Sequence, residues 1–182
     1  ESKIIKNEIL SFEGSILHEK NSYVLVKYNK DSIKKSSFNL NFKDFGLFLY
    51  NLNFSDKFLG GTGNLVLNLD NNTNKLVSGE FLIKDFSIKD ASFLARLLQL
   101  ASFTGLLEIL ASEGIPFSNL EGDFEIKDSK VVINDTRFEG LSLGASTKGN
   151  FDLENKKIDL KGVLIPAYAI NDIINKIPLL GQ

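Results

Sequence analysis

Alternation of apolar and polar positions runs through most of this chain, and a period of two marks strands with one face buried and one in water. In Leu65-Val66-Leu67-Asn68-Leu69 the odd positions are apolar, while Asn64, Asn68 and Asp70 point the other way. Val77, Gly79, Phe81 and Ile83 share one face of the next run. In the run from Leu120 to Lys127, the set Leu120, Gly122, Phe124 and Ile126 faces inward and every alternate position is charged. The phrase Gly-x-Phe/Leu-x-Ile/Leu behind these runs recurs in looser form as Phe12-Glu13-Gly14-Ser15-Ile16, Gly149-Asn150-Phe151-Asp152-Leu153 and Leu160-Lys161-Gly162-Val163-Leu164. Turn residues separate the runs at Asp70 to Asn74, Asp128-Ser129, Asn134-Asp135 and Glu154 to Lys156. A spacing of about a dozen residues per strand is that of a meander with short loops. Glycine on the inward face lets such a sheet coil. The pattern predicts a mainly β fold: a curved antiparallel sheet, or β-groove, of repeated hairpins.

Two segments break the alternation. Residues 92–112 begin SFLARLLQLASFTGLLEILA, in which Arg96, Gln99 and Glu108 are the strongly polar positions. Asp90 or Ser92 caps a helix there, Gly105 breaks it in two, and Gly114 stops it before Ile115-Pro116 resumes an extended path. Phe93, Leu97, Leu100, Leu107 and Leu110 form one helical stripe, while Leu94, Leu98, Leu106 and Ile109 make other faces apolar too. A helix apolar nearly all round is buried on several sides or meets lipid. Both placements stay open: at the mouth of the sheet touching lipid, or packed between layers. A second short helix is expected over 168–175, between Pro166 and Pro178. Residues 1–60 read less sharply. Ile9–Leu17 and Ser22–Tyr28 suggest a hairpin, Ser37–Phe42 a strand and Phe45–Tyr50 a short helix, followed by a joint at Gly60-Gly61-Thr62-Gly63.

With 182 residues and 43% hydrophobic composition, the chain suits one globular domain, residues 1–182, in which 61–182 form the clearer C-terminal module. A net charge of −2 gives no electrostatic case for nucleic acid. Cysteine is absent, which removes disulfides and thiolate metal sites. Methionine is absent even at position 1, as expected of an excised or processed piece. No uncharged apolar run is long enough to span a bilayer.

Catalytic and metal chemistry finds little support. His18, the single histidine, lacks partners for a triad or zinc site. Asp70, Asn72 and Asn74 mimic the start of a calcium loop, but Lys75 stands where glycine is needed and Phe81 where a glutamate is needed, so a hairpin turn is expected. Glu121, Asp123 and Glu125 are spaced like paired carboxylates, yet alternation puts them on a solvated strand face. No catalytic residue, metal ligand or cofactor site is assigned.

Several stretches in order carry a resemblance: GEFLIKD (79–85), LARLL (94–98), ASFTGLLEIL (101–110), GIPFSNLEGDF (114–124), LGASTKGNFDL (143–153) and VLIPAYAINDIINKIPLLG (163–181). Together, over about residues 61–181, they resemble the C-terminal region of AsmA-like proteins, nearest the large YhdP type and its TamB relatives. The resemblance implies a non-enzymatic protein of the Gram-negative periplasm, anchored in the inner membrane by an N-terminal helix missing here. Its β-groove would carry phospholipid between the inner and outer membranes, with a periplasmic or outer-membrane protein as a possible further partner. The family pattern includes another strand after the IPLLG motif, and this chain stops at Gln182. Asn171 and Asp172 match a family motif and suggest a tie from helix to sheet edge. The candidate lipid-facing residues are Leu67, Phe81, Phe124, Phe151 and Leu160 on strands, and Leu94, Leu97 and Leu107 on the helix. The rival reading is a structural or interaction module of an envelope assembly protein, with the same residues forming an ordinary core and no lipid bound.

Overall fold

The computed structural model describes residues 2–5, 8–18, 21–89, 114–141, 143–155 and 157–166. The chain runs through strands β1 (Ser2–Ile5), β2 (Glu8–His18), β3 (Asn21–Lys30) and β4 (Lys35–Phe42), then helix α1 (Phe45–Asn51). Strands β5 (Phe58–Asp70), β6 (Lys75–Ile88), β7 (Ile115–Lys127), β8 (Lys130–Glu139), β9 (Leu143–Asp152) and β10 (Lys157–Pro166) follow. Each strand pairs antiparallel with its neighbour in sequence, so among the described residues ten strands lie in chain order in one open, curled sheet. The mainly β, curved antiparallel architecture expected from the alternation is the one observed. The helices expected over 92–112 and 168–175, with Asn171 and Asp172, lie outside the described residues.

The expected hairpin of residues 9–28 is β2–β3, the strand at Ser37–Phe42 lies within β4, and the helix at Phe45–Tyr50 is α1. Three local expectations are corrected. Gly60 to Gly63 is no joint but part of β5, and Asn134-Asp135 is no turn. At the latter, β8 carries one extra residue against both neighbours, a bulge that uses turn-type residues without ending the pairing. Val77 is likewise the extra residue of β6: Leu76 pairs with Leu69, and Val77 is 39% exposed instead of inward. Asp128 and Ser129 do form a two-residue hairpin loop, with φ of 48° and 59° that match the right-handed strand twist.

Side-chain burial follows the register. Strands β5, β6 and β7 each skip one step of alternation at the same level, so Ile83 and Phe86, or Phe117 and Leu120, are buried three residues apart. Positive φ at Gly60, Gly61 and Asp85 makes this reset possible. The best-buried core forms there, from Val24, Phe42, Ile83, Phe86, Ile115 and Phe117. Helix α1 closes over it. Asp44 caps the helix by accepting the Leu47 N–H at 2.8 Å. Gly46 lets the helix backbone approach β5, because a Cβ there would stand 2.8 Å from the Phe58 carbonyl carbon.

The apolar inner face as candidate functional site

Paired residues in adjacent strands point to the same side of a sheet, so the register traces lines of side chains across it. One line joins Phe12, Tyr28, Phe38, Leu67, Gly79 and Phe124 across β2–β7, then Ile133, Gly149 and Leu160 on β8–β10. The next line toward α1 holds Val26, Leu40, Leu65, Phe81 and Gly122. Ile126, Val131 and Phe151 extend the same face toward the hairpin loops. The large side chains of these lines are half-buried, and Leu160 is 44% exposed. The five strand residues singled out from the sequence therefore share one face, with Leu67, Phe124 and Leu160 in a single line. Leu94, Leu97 and Leu107 lie outside the described residues.

Two aromatic groups on this face were not singled out from the sequence. Phe12 stacks on Tyr28 with centroids 5.4 Å apart, and Phe38 lies 5.1 Å from Tyr28. Along the α1 side, Phe42, Phe45, Phe58, Phe86, Phe117 and Phe138 form a continuous ring-to-ring chain at 5.3–6.0 Å. The inward parity of β5, β6 and β7 was visible in the sequence; the pairing that brings these rings together was not. Gly79 pairs with Phe124 and Gly122 with Phe81, so each ring of the two Gly-x-Phe phrases covers the other phrase's glycine. A Cβ on Gly79 would stand 2.5 Å from Phe124 Cζ, and one on Gly122 would stand 2.9 Å from Phe81 Cζ.

The outer face is polar. Lys27 pairs with Glu13 at 3.3 Å, and Asn68 Nδ2 donates to Ser78 Oγ at 3.1 Å. Glu121, Asp123 and Glu125 lie here, opposite Arg137, beside the Asn134 amide and paired with Lys127, respectively. A shallow hollow of about 570 Å³ on this face is bordered by Glu80, Asp123, Asp135 and Arg137. Asp70 is a turn residue: its Oδ1 accepts the Asn72 N–H at 2.9 Å and its Oδ2 the Thr73 hydroxyl at 3.2 Å. Among the described residues no group of three or more His, Cys, Asp or Glu side chains can hold a metal ion. His18 is the last residue of β2.

No family model, curated protein or solved structure matches the chain. The site is thus defined by its own geometry. A sheet with one hydrocarbon face and one hydrated face can remove an apolar ligand from water without orienting it through fixed polar groups.

Proposed function

We propose that the protein is a non-enzymatic lipid-handling module of the Gram-negative envelope. In this reading it belongs to a longer, inner-membrane-anchored periplasmic protein that passes phospholipid between the two membranes. The observation that carries the reading is the unbroken apolar line from Phe12 to Leu160, half-buried across β2–β10. The resemblance of the motif order to AsmA-like proteins points the same way.

Acyl chains would lie across the strands against Leu67, Phe81, Phe124, Phe151 and Leu160. Each methylene taken from water contributes about 0.8 kcal/mol, so covering about eight of them holds a chain by roughly 6 kcal/mol. Because no single pocket gathers that energy, a chain can shift along the face by exchanging equivalent contacts. Organic extraction and native mass spectrometry of the chain purified from a membrane-containing host should recover bound phospholipid. The partly exposed Leu160→Gln variant should retain the fold and carry less lipid. A lipid-free wild-type protein would instead favour a structural module whose inner face is only its core.

A further inference from the structure

The two outermost strands of the sheet differ. Strand β1 has four residues, and its pairing with β2 is irregular between Lys3 and Ile4, so little regular edge is left there. Strand β10 has ten residues, and they pair with β9 in one unbroken register from Lys157 with Asp152 to Pro166 with Leu143. Among the described residues nothing pairs with the other side of β10. A long, regular edge with every second N–H and C=O turned outward is a template for a further strand.

The side chains of β10 favour a particular partner. Register puts Leu160 and Gly162 on the inner face, and Asp159, Lys161, Val163 and Ile165 on the outer one; all are exposed. Lys161 stands directly opposite Lys148 of β9, which is exposed too, and like charges so placed repel. Asp159 faces the uncharged Asn150. Among the described residues neither Asp159 nor Lys161 makes an ion pair. A carboxylate across the open edge from Lys161 would offset the repulsion from Lys148.

We propose that β10 pairs antiparallel with β10 of a second copy, about a two-fold axis that passes through Leu160. Such an axis, normal to the sheet, pairs residues of the same face, so only every second register is open to it. With Leu160 opposite its own copy, Asp159 faces Lys161 of the second chain at two symmetric places, and the paired stretch runs from Lys157 to Val163 on each strand. The neighbouring registers are both repulsive. With Asp159 on the axis, Asp159 meets its copy and Lys157 meets Lys161; with Lys161 on the axis, two lysines meet. The charges therefore select one register and oppose a slip in either direction. Pro166, which has no N–H to donate, stays outside the ladder. This self-complementarity is what selects a second copy over an unrelated strand. The inner faces of the two copies then become continuous through Leu160, and the pairing holds whether or not that face binds lipid.

Sedimentation velocity of the 182-residue chain at low salt, over a concentration series reaching the submillimolar range, should show a monomer–dimer equilibrium and no larger species, because two-fold pairing uses up the edge. Lys161→Asp sets carboxylate against carboxylate beside the axis, and Asp159→Lys sets ammonium against ammonium. Each should weaken dimerisation on the order of tenfold. Both positions are exposed, and Lys161→Asp also faces Lys148 favourably, so the dilute variants should melt like the dilute wild type. An equimolar mixture of the two variants should regain most of the wild-type affinity, since every lysine then faces an aspartate. A wild type that stays monomeric overturns the proposal. So does a dimer that neither variant weakens, which would move the contact to another surface. Growth into larger oligomers would mean head-to-tail pairing of β10 with β1 and overturn the two-fold contact. Variants that stay apart when mixed overturn the register on which it rests.

Discussion

The ring of Phe124 occupies the space that a side chain at Gly79 would need, and the ring of Phe81 does the same at Gly122. Neither glycine is there for a positive φ; each is hemmed in across the strand, Gly79 by the Phe124 ring and the Val66 carbonyl oxygen, Gly122 by Thr136 and the Phe81 ring. Alanine at Gly79 would force the Phe124 ring off its rotamer or push the two strands apart. Overpacking of this kind costs about 1–3 kcal/mol. Gly79→Ala should therefore lower the urea midpoint without changing the slope, and Phe124→Leu in the same chain should recover the part of the loss that comes from the ring, while the 2.9 Å approach to the Val66 carbonyl oxygen remains. A neutral Gly79→Ala, or no recovery in the double variant, would show that the two residues do not compete for the same space. The sequence marked both glycines as inward and linked them to curvature. The closer reason, a reciprocal pair of Gly-x-Phe phrases, depends on which phrase faces which, and alternation carries no register information.

At the level of elements, the hairpin turns at the strand ends away from α1 hold the strands in register, and Asp152 illustrates how. The backbone N–H of Asn155 first, and its side-chain amide second, hold the Asp152 carboxyl below the ordinary carboxylate range; the Glu154 N–H and the charge of Lys130 act in the same direction. A depressed folded pKa means that the ionised form is the one bound. Its contribution is complete above the unfolded value of about 3.9 and is lost as the pH falls through the folded value. The difference in melting temperature between wild type and Asp152→Ala should be constant from neutral pH down to about 5 and narrow below about 4. A difference that persists unchanged into strong acid would remove the carboxylate from the account. Turns of this kind were legible because Asp and Asn hydrogen-bond their own backbone. The bulge at Asn134-Asp135 was read as a turn for the same reason, since a bulge and a turn ask for similar residues and differ only in whether pairing continues beyond them. Strand β1 was missed because four residues are too few to establish a period.

Across the whole molecule, stability should be graded in two directions. Apolar burial is deepest beneath α1, with Val24 at 0%, Ile83 at 1% and Phe86 at 2% exposure, and it declines toward the hairpin-loop ends of the strands. It also declines toward β10, where Leu160, Val163 and Ile165 are 44%, 60% and 42% exposed. Among the described residues each strand pairs only with its neighbours in the chain, with no distant pairing to tie edges to centre, so edge strands should open locally while the central ones exchange amides only when the sheet unfolds. Ile83→Ala removes a fully packed side chain and should cost about 2–5 kcal/mol, lowering the protection of every slow amide in β5–β7 by that same amount. Leu160→Ala, at a half-open edge, should cost under about 1 kcal/mol and lower protection in β9 and β10 alone. Native-state hydrogen exchange on the two variants separates these outcomes. If Leu160→Ala reduced protection beneath α1 as well, the sheet would be a single cooperative unit. The apolar face near β10 could then not loosen to admit a ligand without the core giving way.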